Sequence, residues 1–142
     1  MESTKRLLLR SGAFLLFLGM ATGGFVAAAM TGKVNADASM ALASHLNAIL
    51  GAFMIFGLAI SLQYLRYTDV GQRRLAWLII VANYANWSVT ALKAFLRVHG
   101  IDFVGEARND LIFLLLTLLV VIPSLVGTWF WFTGFRKDGG KS

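Results

Sequence analysis

Four long runs without carboxylate or basic side chains constrain this chain more than any other feature of its sequence. The predicted spans cover about residues 11–32, 40–65, 75–97 and 111–135, and only the third, beyond Leu92, includes charged residues. A helix needs about 20 apolar residues to cross the hydrocarbon core of a bilayer. Each run is long enough, and the connections between them are short. We therefore expect an all-α, polytopic membrane four-helix bundle that forms a single domain over residues 1–142.

The composition agrees with a bilayer as solvent. Hydrophobic residues make up 58% of the 142 residues and charged residues only 14%, whereas soluble domains carry about 25% charged residues. The net charge of +6 does not indicate nucleic-acid binding, because that function requires a basic face on a water-soluble domain. The absence of cysteine excludes disulfides, thiolate metal sites and cysteine nucleophiles.

The distribution of charge predicts the orientation of the chain. The N-terminal segment, the second connection and the C-terminal tail each carry three basic residues against one acidic residue, whereas the first and third connections are balanced. Positive residues in short loops stay in the cytoplasm, so both termini are predicted to be cytoplasmic. The first run exceeds the roughly 7 to 15 apolar residues of a signal peptide and is expected to be a retained helix. We expect residence in a bacterial inner membrane.

Polar side chains inside the spans are the informative residues, because each must find a partner away from lipid. They concentrate on the second and third helices, and they are His45, Asn47, Ser61, Asn83, Tyr84, Asn86, Ser88, Thr90 and Lys93. Any chemistry is therefore expected on these two helices. No paired intramembrane carboxylates, phosphate loop or zinc-protease motif is present.

His45 is the histidine that lies within a predicted span, since His99 is near the outer end of the third helix. An imidazole there can ligate a metal or a haem iron, act as a base, or hydrogen-bond a neighbouring helix. One histidine does not complete a zinc site or provide the paired axial ligands of an electron-transfer haem. It can provide one axial ligand and leave the opposite face of a haem open. Structural and functional roles both remain open on the residues alone.

Asn83, Asn86 and Thr90 recur at spacings of three and four residues, which places them on one stripe of the third helix. Tyr84 lies about 100° around the helix from Asn83. The stripe is either a seam of interhelical hydrogen bonds or a polar pocket that holds one oxygen or nitrogen atom of a small substrate. The sequence allows both.

Glycines and one proline predict local features of the helices. Gly19, Gly23 and Gly24 on the first helix, with Gly51 on the second, would allow close helix contact. Pro123 lies inside the fourth span and is expected to bend it, because proline removes a backbone donor and crowds the preceding turn.

Two segments carry a resemblance to a known family. The heptapeptide MALASHL at 40–46, followed by Gly51 and Phe53, and the tetrapeptide YANW at 84–87 resemble those of the small membrane isomerases that include hydroxylaminobenzene mutase and styrene oxide isomerase. The four-helix layout, with Gly105, Glu106 and Arg108 before the last span, is also similar. The resemblance covers nearly the whole chain loosely and these two segments closely.

The resemblance implies a homotrimer of four-helix protomers with ferric haem b near the subunit interface and His45 as its axial ligand. It implies a redox-neutral isomerase acting on a small aromatic substrate. The reaction would convert an epoxide to an aldehyde, with iron as Lewis acid, or an arylhydroxylamine to an aminophenol. Tyr84 would hydrogen-bond the substrate heteroatom, Asn86 would orient the tyrosine or the substrate, and Trp87 would line the aromatic site.

One position departs from the family pattern, which has an asparagine six residues after the histidine. This chain has Gly51 there. Asn47 shares a helix face with position 51, so the resemblance allows Asn47 to replace the missing amide in the substrate pocket. It also allows an enlarged pocket or an altered activity.

Two other functions are compatible with the sequence. The departure at Gly51 motivates a non-catalytic haem-binding or sensing protein. A role of His45 limited to hydrogen-bonding a neighbouring helix motivates a haem-free structural subunit of a membrane complex.

The depth of His45 and Tyr84 along their helices adds one expectation. At 1.5 Å per residue His45 lies roughly 12 Å outside the middle of its helix, whereas Tyr84 lies near the middle of the next, so we expect no direct contact between them.

Overall fold

The computed structural model describes residues 2–135, and every regular element among them is helical. The helices are α1 (Glu2–Met30), α2 (Ala38–Ser61), α3 (Asp69–Leu96), α4 (Ala107–Leu116) and α5 (Ile122–Gly134). A 3-10 turn at Leu62–Tyr64 continues α2, and a π-helical segment at Thr117–Val121 joins α4 to α5. The result is four helices long and apolar enough to cross a membrane, which confirms the predicted all-α membrane fold. The basic tail used to predict orientation lies beyond Phe135 and so outside the described residues.

α1 begins at Glu2, well before the apolar run that starts near residue 11. Its buried face continues through the basic segment, with Thr4 and Leu8 on the same stripe as Leu15 and Gly19. Positions three and four apart lie on one face of a helix, so packing against the bundle sustains the helix beyond the membrane boundary.

Side-chain caps fix where α2 and α3 begin. The Asp37 carboxylate accepts a 3.0 Å hydrogen bond from the backbone N–H of Met40, and the Thr68 hydroxyl accepts a 3.3 Å bond from that of Gly71. Both satisfy N–H groups that a helix start leaves without partners. The backbone N–H of Asp37 also donates to the carbonyl of Ala94 at 2.9 Å. This bond ties the start of α2 to the end of α3.

A π-helical segment immediately precedes α5, in which Pro123 is the second residue, and the predicted bend of this span stays a prediction. Pro123 has no N–H to donate and its ring crowds the carbonyl four residues earlier. A wider π turn is one way in which a helix accommodates such a defect. The disturbance therefore precedes the proline by a turn.

α2 lies between α1 and α3, and α5 packs against α3. The main core joins Leu8 and Leu15 of α1 to Ile55 of α2 and Ile79 of α3. Gly19 permits a close approach of α1 and α2, because a Cβ there would lie 3.0 Å from the Cβ of Ala48. Gly24, in contrast, faces open space and is not a packing position.

Candidate functional site

His45 extends from α2 to the backbone of α1. Its Nδ1 lies 2.6 Å from the carbonyl oxygen of Gly19, and its ring packs beside Gly23, where a Cβ would lie 3.4 Å from Cε1. The side chain is half-buried. The two glycines of α1 thus form a shallow seat for the imidazole.

The hydrogen bond to Gly19 determines which ring nitrogen of His45 is protonated. A carbonyl oxygen only accepts, so Nδ1 carries the hydrogen and, in the neutral ring, Nε2 keeps its lone pair. No side chain or carbonyl of residues 2–135 forms a hydrogen bond with Nε2. Ligating histidines characteristically use one nitrogen for the metal while the other donates to a carbonyl or carboxylate. The site therefore presents an oriented nitrogen ligand.

Tyr84 and Trp87 of α3 also bond to α1. The Tyr84 hydroxyl donates to the carbonyl of Ser11 at 2.9 Å, and Trp87 Nε1 donates to the hydroxyl of Thr22 at 3.0 Å. That hydroxyl in turn donates to the carbonyl of Leu18 at 2.7 Å. Both aromatic side chains are half-buried, so each is held by one polar atom while its ring packs between helices.

Asn47 of α2 forms a polar seam with the stripe on α3. Its Nδ2 donates to Oδ1 of Asn86 and to the hydroxyl of Thr90, both at 3.1 Å. Two positions of the predicted stripe, Asn86 and Thr90, thus form interhelical hydrogen bonds. Among residues 2–135, no hydrogen bond joins Asn86 to Tyr84, and the orienting role of Asn86 stays a prediction.

The space above Gly51 is filled by Asn83. A Cβ at position 51 would lie 2.7 Å from Oδ1 of Asn83 and 3.0 Å from its Cβ, which is closer than side chains approach one another. Asn83 is buried, and its Nδ2 donates to the carbonyl of Ile79 at 2.8 Å. The glycine therefore does not enlarge a pocket. The amide beside position 51 comes from Asn83 of α3, not from Asn47.

The site residues lie at two levels of the bundle. The α1 partners of His45 and Tyr84 are Gly19 and Ser11, eight residues and so about 12 Å apart along α1. No hydrogen bond links His45 to Tyr84 within the described residues, in agreement with the expectation from depth.

The roles of four partners at this site were not predicted from the sequence. The backbone carbonyls of Ser11 and Gly19 leave no signal in the side-chain pattern, and the role of Asn83 beside Gly51 depends on how α2 and α3 are rotated. Thr22 is an isolated polar residue on an apolar helix, and a search for Trp partners could have found it. The unbonded amide oxygen of Gln72, buried near the start of α3, was also not predicted.

Three cavities of about 410, 540 and 460 Å³ lie elsewhere in the molecule. The first two flank the start of α3, and the third lies in the connection before α4. None of them includes His45 or Tyr84 among its lining residues. Nor do three His, Asp or Glu side chains of residues 2–135 come together as a metal site.

Fold and site define a class: a four-span helical membrane protein whose polar, potentially reactive side chains lie between its first three helices. The sequence model for the styrene oxide isomerase family matches residues 4–136, which is nearly the whole chain. The chain belongs to the styrene oxide isomerase family, and this membership identifies it as an isomerase-like membrane protein. A comparison with curated proteins gives no match.

Proposed function

We propose that the protein is a haem-dependent membrane isomerase that rearranges a small aromatic substrate without net oxidation or reduction. The observation that carries the proposal is the hydrogen bond from His45 Nδ1 to Gly19, which leaves Nε2 as an oriented nitrogen ligand. His45 would hold ferric haem b. When bound, such a haem supplies a Lewis acid for the substrate oxygen.

The residues fit this cofactor in two respects. A neutral imidazole with one nitrogen hydrogen-bonded to a carbonyl is suited to iron ligation through its other nitrogen. Gly23, which lies beside the ring, has no side chain that would crowd it. His45 is only half-buried in the single chain, so a haem that it holds would need covering by a second copy of the chain. This agrees with the homotrimer that the family resemblance implies.

The rearrangement of an aryl epoxide requires no outside reactant. The benzylic C–O bond breaks, a hydride shifts from the terminal carbon to the benzylic carbon, and the terminal carbon forms the carbonyl of the aldehyde. For an arylhydroxylamine, the N–O bond breaks, the hydroxyl moves to the ring and a ring proton moves to nitrogen. In both reactions negative charge develops on oxygen and positive charge on the aromatic part.

Tyr84 would stabilise the oxygen and Trp87 the aromatic part. The Tyr84 hydroxyl can transfer its hydrogen bond from Ser11 to a substrate oxygen at little cost, because a helical carbonyl keeps its bond to the N–H four residues later. A hydrogen bond that strengthens as charge develops accelerates the reaction, especially where water is excluded. The indole of Trp87, held by Thr22, would provide an apolar aromatic wall to the substrate. Asn86 would orient the substrate together with its partner Asn47.

The experiment is a turnover assay of the haem-loaded protein with styrene oxide and with N-phenylhydroxylamine, followed by product analysis. We expect conversion of at least one to its isomer. Tyr84→Phe should lower kcat by about 10²-fold or more and leave the haem content unchanged. Tyr64→Phe is the matched control, since Tyr64 lies exposed at the end of α2, and it should retain full activity. Equal activity of wild type and Tyr84→Phe would contradict the role of Tyr84.

One observation favours a second candidate, a haem-free structural subunit. His45, Asn47, Tyr84 and Trp87 each have a hydrogen-bond partner within the chain, as helix-packing residues would. That function predicts a colourless protein that co-purifies with a stable partner. A haem-loaded protein that isomerises neither substrate would instead support the non-catalytic haem-binding alternative.

A further inference from the structure

Two adjoining cavities lie at the start of α3, far from the site of His45. One, of about 410 Å³, lies between α3 and α5, and the other, of about 540 Å³, lies along the outer side of α3. Arg74 and Leu78 line both cavities. The two cavities therefore lie side by side and share a charged residue and an apolar residue one turn apart. We call this pair of cavities the α3 groove.

The charged end of the α3 groove has no carboxylate counter-ion among residues 2–135. Arg73 and Arg74 are exposed, and no carboxylate of residues 2–135 forms an ion pair with either. They follow the second connection, where basic residues exceed acidic ones. Two adjacent guanidinium groups without carboxylate partners are suited to hold one phosphate through several N–H donors.

The other end of the α3 groove is apolar. Leu75, Leu78 and Val81 line it, and they lie within the part of α3 that is long and apolar enough to span a membrane. Trp77 lies at the border between the two ends, 47% exposed, in a position typical of tryptophans at the headgroup level. An occupant of the whole groove must therefore be anionic at one end and a hydrocarbon at the other.

The wall formed by α5 is held in place. The Tyr67 hydroxyl donates to the carbonyl of Phe130 at 2.8 Å, and both residues line the groove. Gly71 lines the same cavity, and a Cβ there would lie 3.1 Å from the Cβ of Tyr67. The groove is thus built into the contact between the start of α3 and the end of α5.

We propose that the α3 groove binds one anionic phospholipid. Arg73 and Arg74 hold its phosphate, and an acyl chain lies along Leu78 and Val81. The positive-inside rule places this end of α3 in the cytoplasmic leaflet, where anionic lipids attract basic residues near the membrane surface. A free phosphate ion would satisfy the arginines and leave the apolar half of the groove unfilled.

The test is native mass spectrometry of the full-length protein released from nanodiscs of mixed phosphatidylglycerol and phosphatidylcholine. We expect one retained phosphatidylglycerol per chain. The variant Arg73→Gln/Arg74→Gln should lower its occupancy about 30-fold, since each basic residue near an anionic surface contributes about fivefold. Arg6→Gln/Arg10→Gln is the matched control, because it removes two basic residues of α1 that line none of the three cavities. It should retain the lipid.

A second variant tests the apolar half without changing the charge. Leu78→Trp fills the groove and should also release the lipid, while millimolar inorganic phosphate should not displace it from the wild type. Three results would overturn the proposal: equal loss from both arginine double variants, equal retention of phosphatidylcholine, or displacement by phosphate. Circular dichroism of each variant shows whether it remains helical, and no step of the test depends on haem or on catalysis.

Discussion

The imidazole of His45 and the carbonyl of Gly19 are joined by a 2.6 Å hydrogen bond between α2 and α1. This bond assigns the proton to Nδ1 and leaves Nε2 with a lone pair. In the haem-free protein, ¹⁵N NMR of labelled histidine should show the neutral ring of His45 with a protonated Nδ1 and an unprotonated Nε2. The opposite tautomer would mean that the nitrogen available to a ligand is the wrong one for this geometry.

Gly51 and Asn83 should be strongly coupled. Gly51→Ala places a Cβ 2.7 Å from the amide oxygen of Asn83, and overpacking of this kind costs about 1–3 kcal/mol of unfolding free energy. Asn83→Ala removes the amide but keeps the Cβ at 3.0 Å, so it relieves part of the obstruction, and the double variant should be more stable than the sum of the single effects allows. Gly24→Ala is the control, because nothing surrounds that position. Reversible unfolding in detergent gives the unfolding free energy of the two single variants, the double variant and the control. Additive effects of Gly51→Ala and Asn83→Ala would disprove the contact.

The seam between α2 and α3 should contribute modestly to stability. Asn47→Ala removes two hydrogen bonds, to Asn86 and Thr90, each worth about 0.6 kcal/mol in a membrane bundle. We expect a loss of about 1 kcal/mol. Ser88→Ala should have little effect, since Ser88 is exposed and bonds only within its own helix. If both variants unfold alike, the seam does not hold the helices together.

The cap at Asp37 should make stability depend on pH. The hydrogen bond from the backbone of Met40, aided by that from Ser39, lowers the pKa of the Asp37 carboxyl below its ordinary value of 3.8. A lowered pKa stabilises the folded state above the ordinary pKa, and this stabilisation is lost as the pH falls through the lowered value. Asp37→Ala should therefore cost about 1 kcal/mol at pH 7 and clearly less near pH 2. Unfolding curves at the two pH values measure this, and a cost independent of pH would contradict it.

Hydropathy was sufficient to predict the four spans, because a membrane requires long apolar helices whatever their packing. It did not predict that α1 begins at Glu2, since that extension depends on burial of Thr4 and Leu8 against the rest of the bundle. The polar stripe on α3 could be predicted from its spacing. The α2 partner of each stripe residue could not be predicted, because it depends on how α2 is rotated against α3. This rotation brings Asn86 into contact with Asn47 and places Asn83 over Gly51.

Prediction of the candidate site from the sequence has the same limit, since it identifies side chains but not their packing partners. His45 stands out in the sequence because it is an imidazole within an apolar run, and the family resemblance predicts that it ligates haem. The partner that orients it is a backbone carbonyl, which every residue has and no sequence pattern marks. The same is true of Tyr84 and Ser11. Side chains that a membrane makes costly can therefore be identified from sequence, whereas backbone partners emerge only from the packed helices.

The absorption spectrum of the protein purified from haem-replete cells tests the central claim most directly. We predict a Soret band with about one haem per chain, lost in His45→Ala and kept in His99→Ala, which removes the other histidine. A wild-type protein without the band, or a band of full intensity in His45→Ala, would contradict the claim that His45 holds a haem.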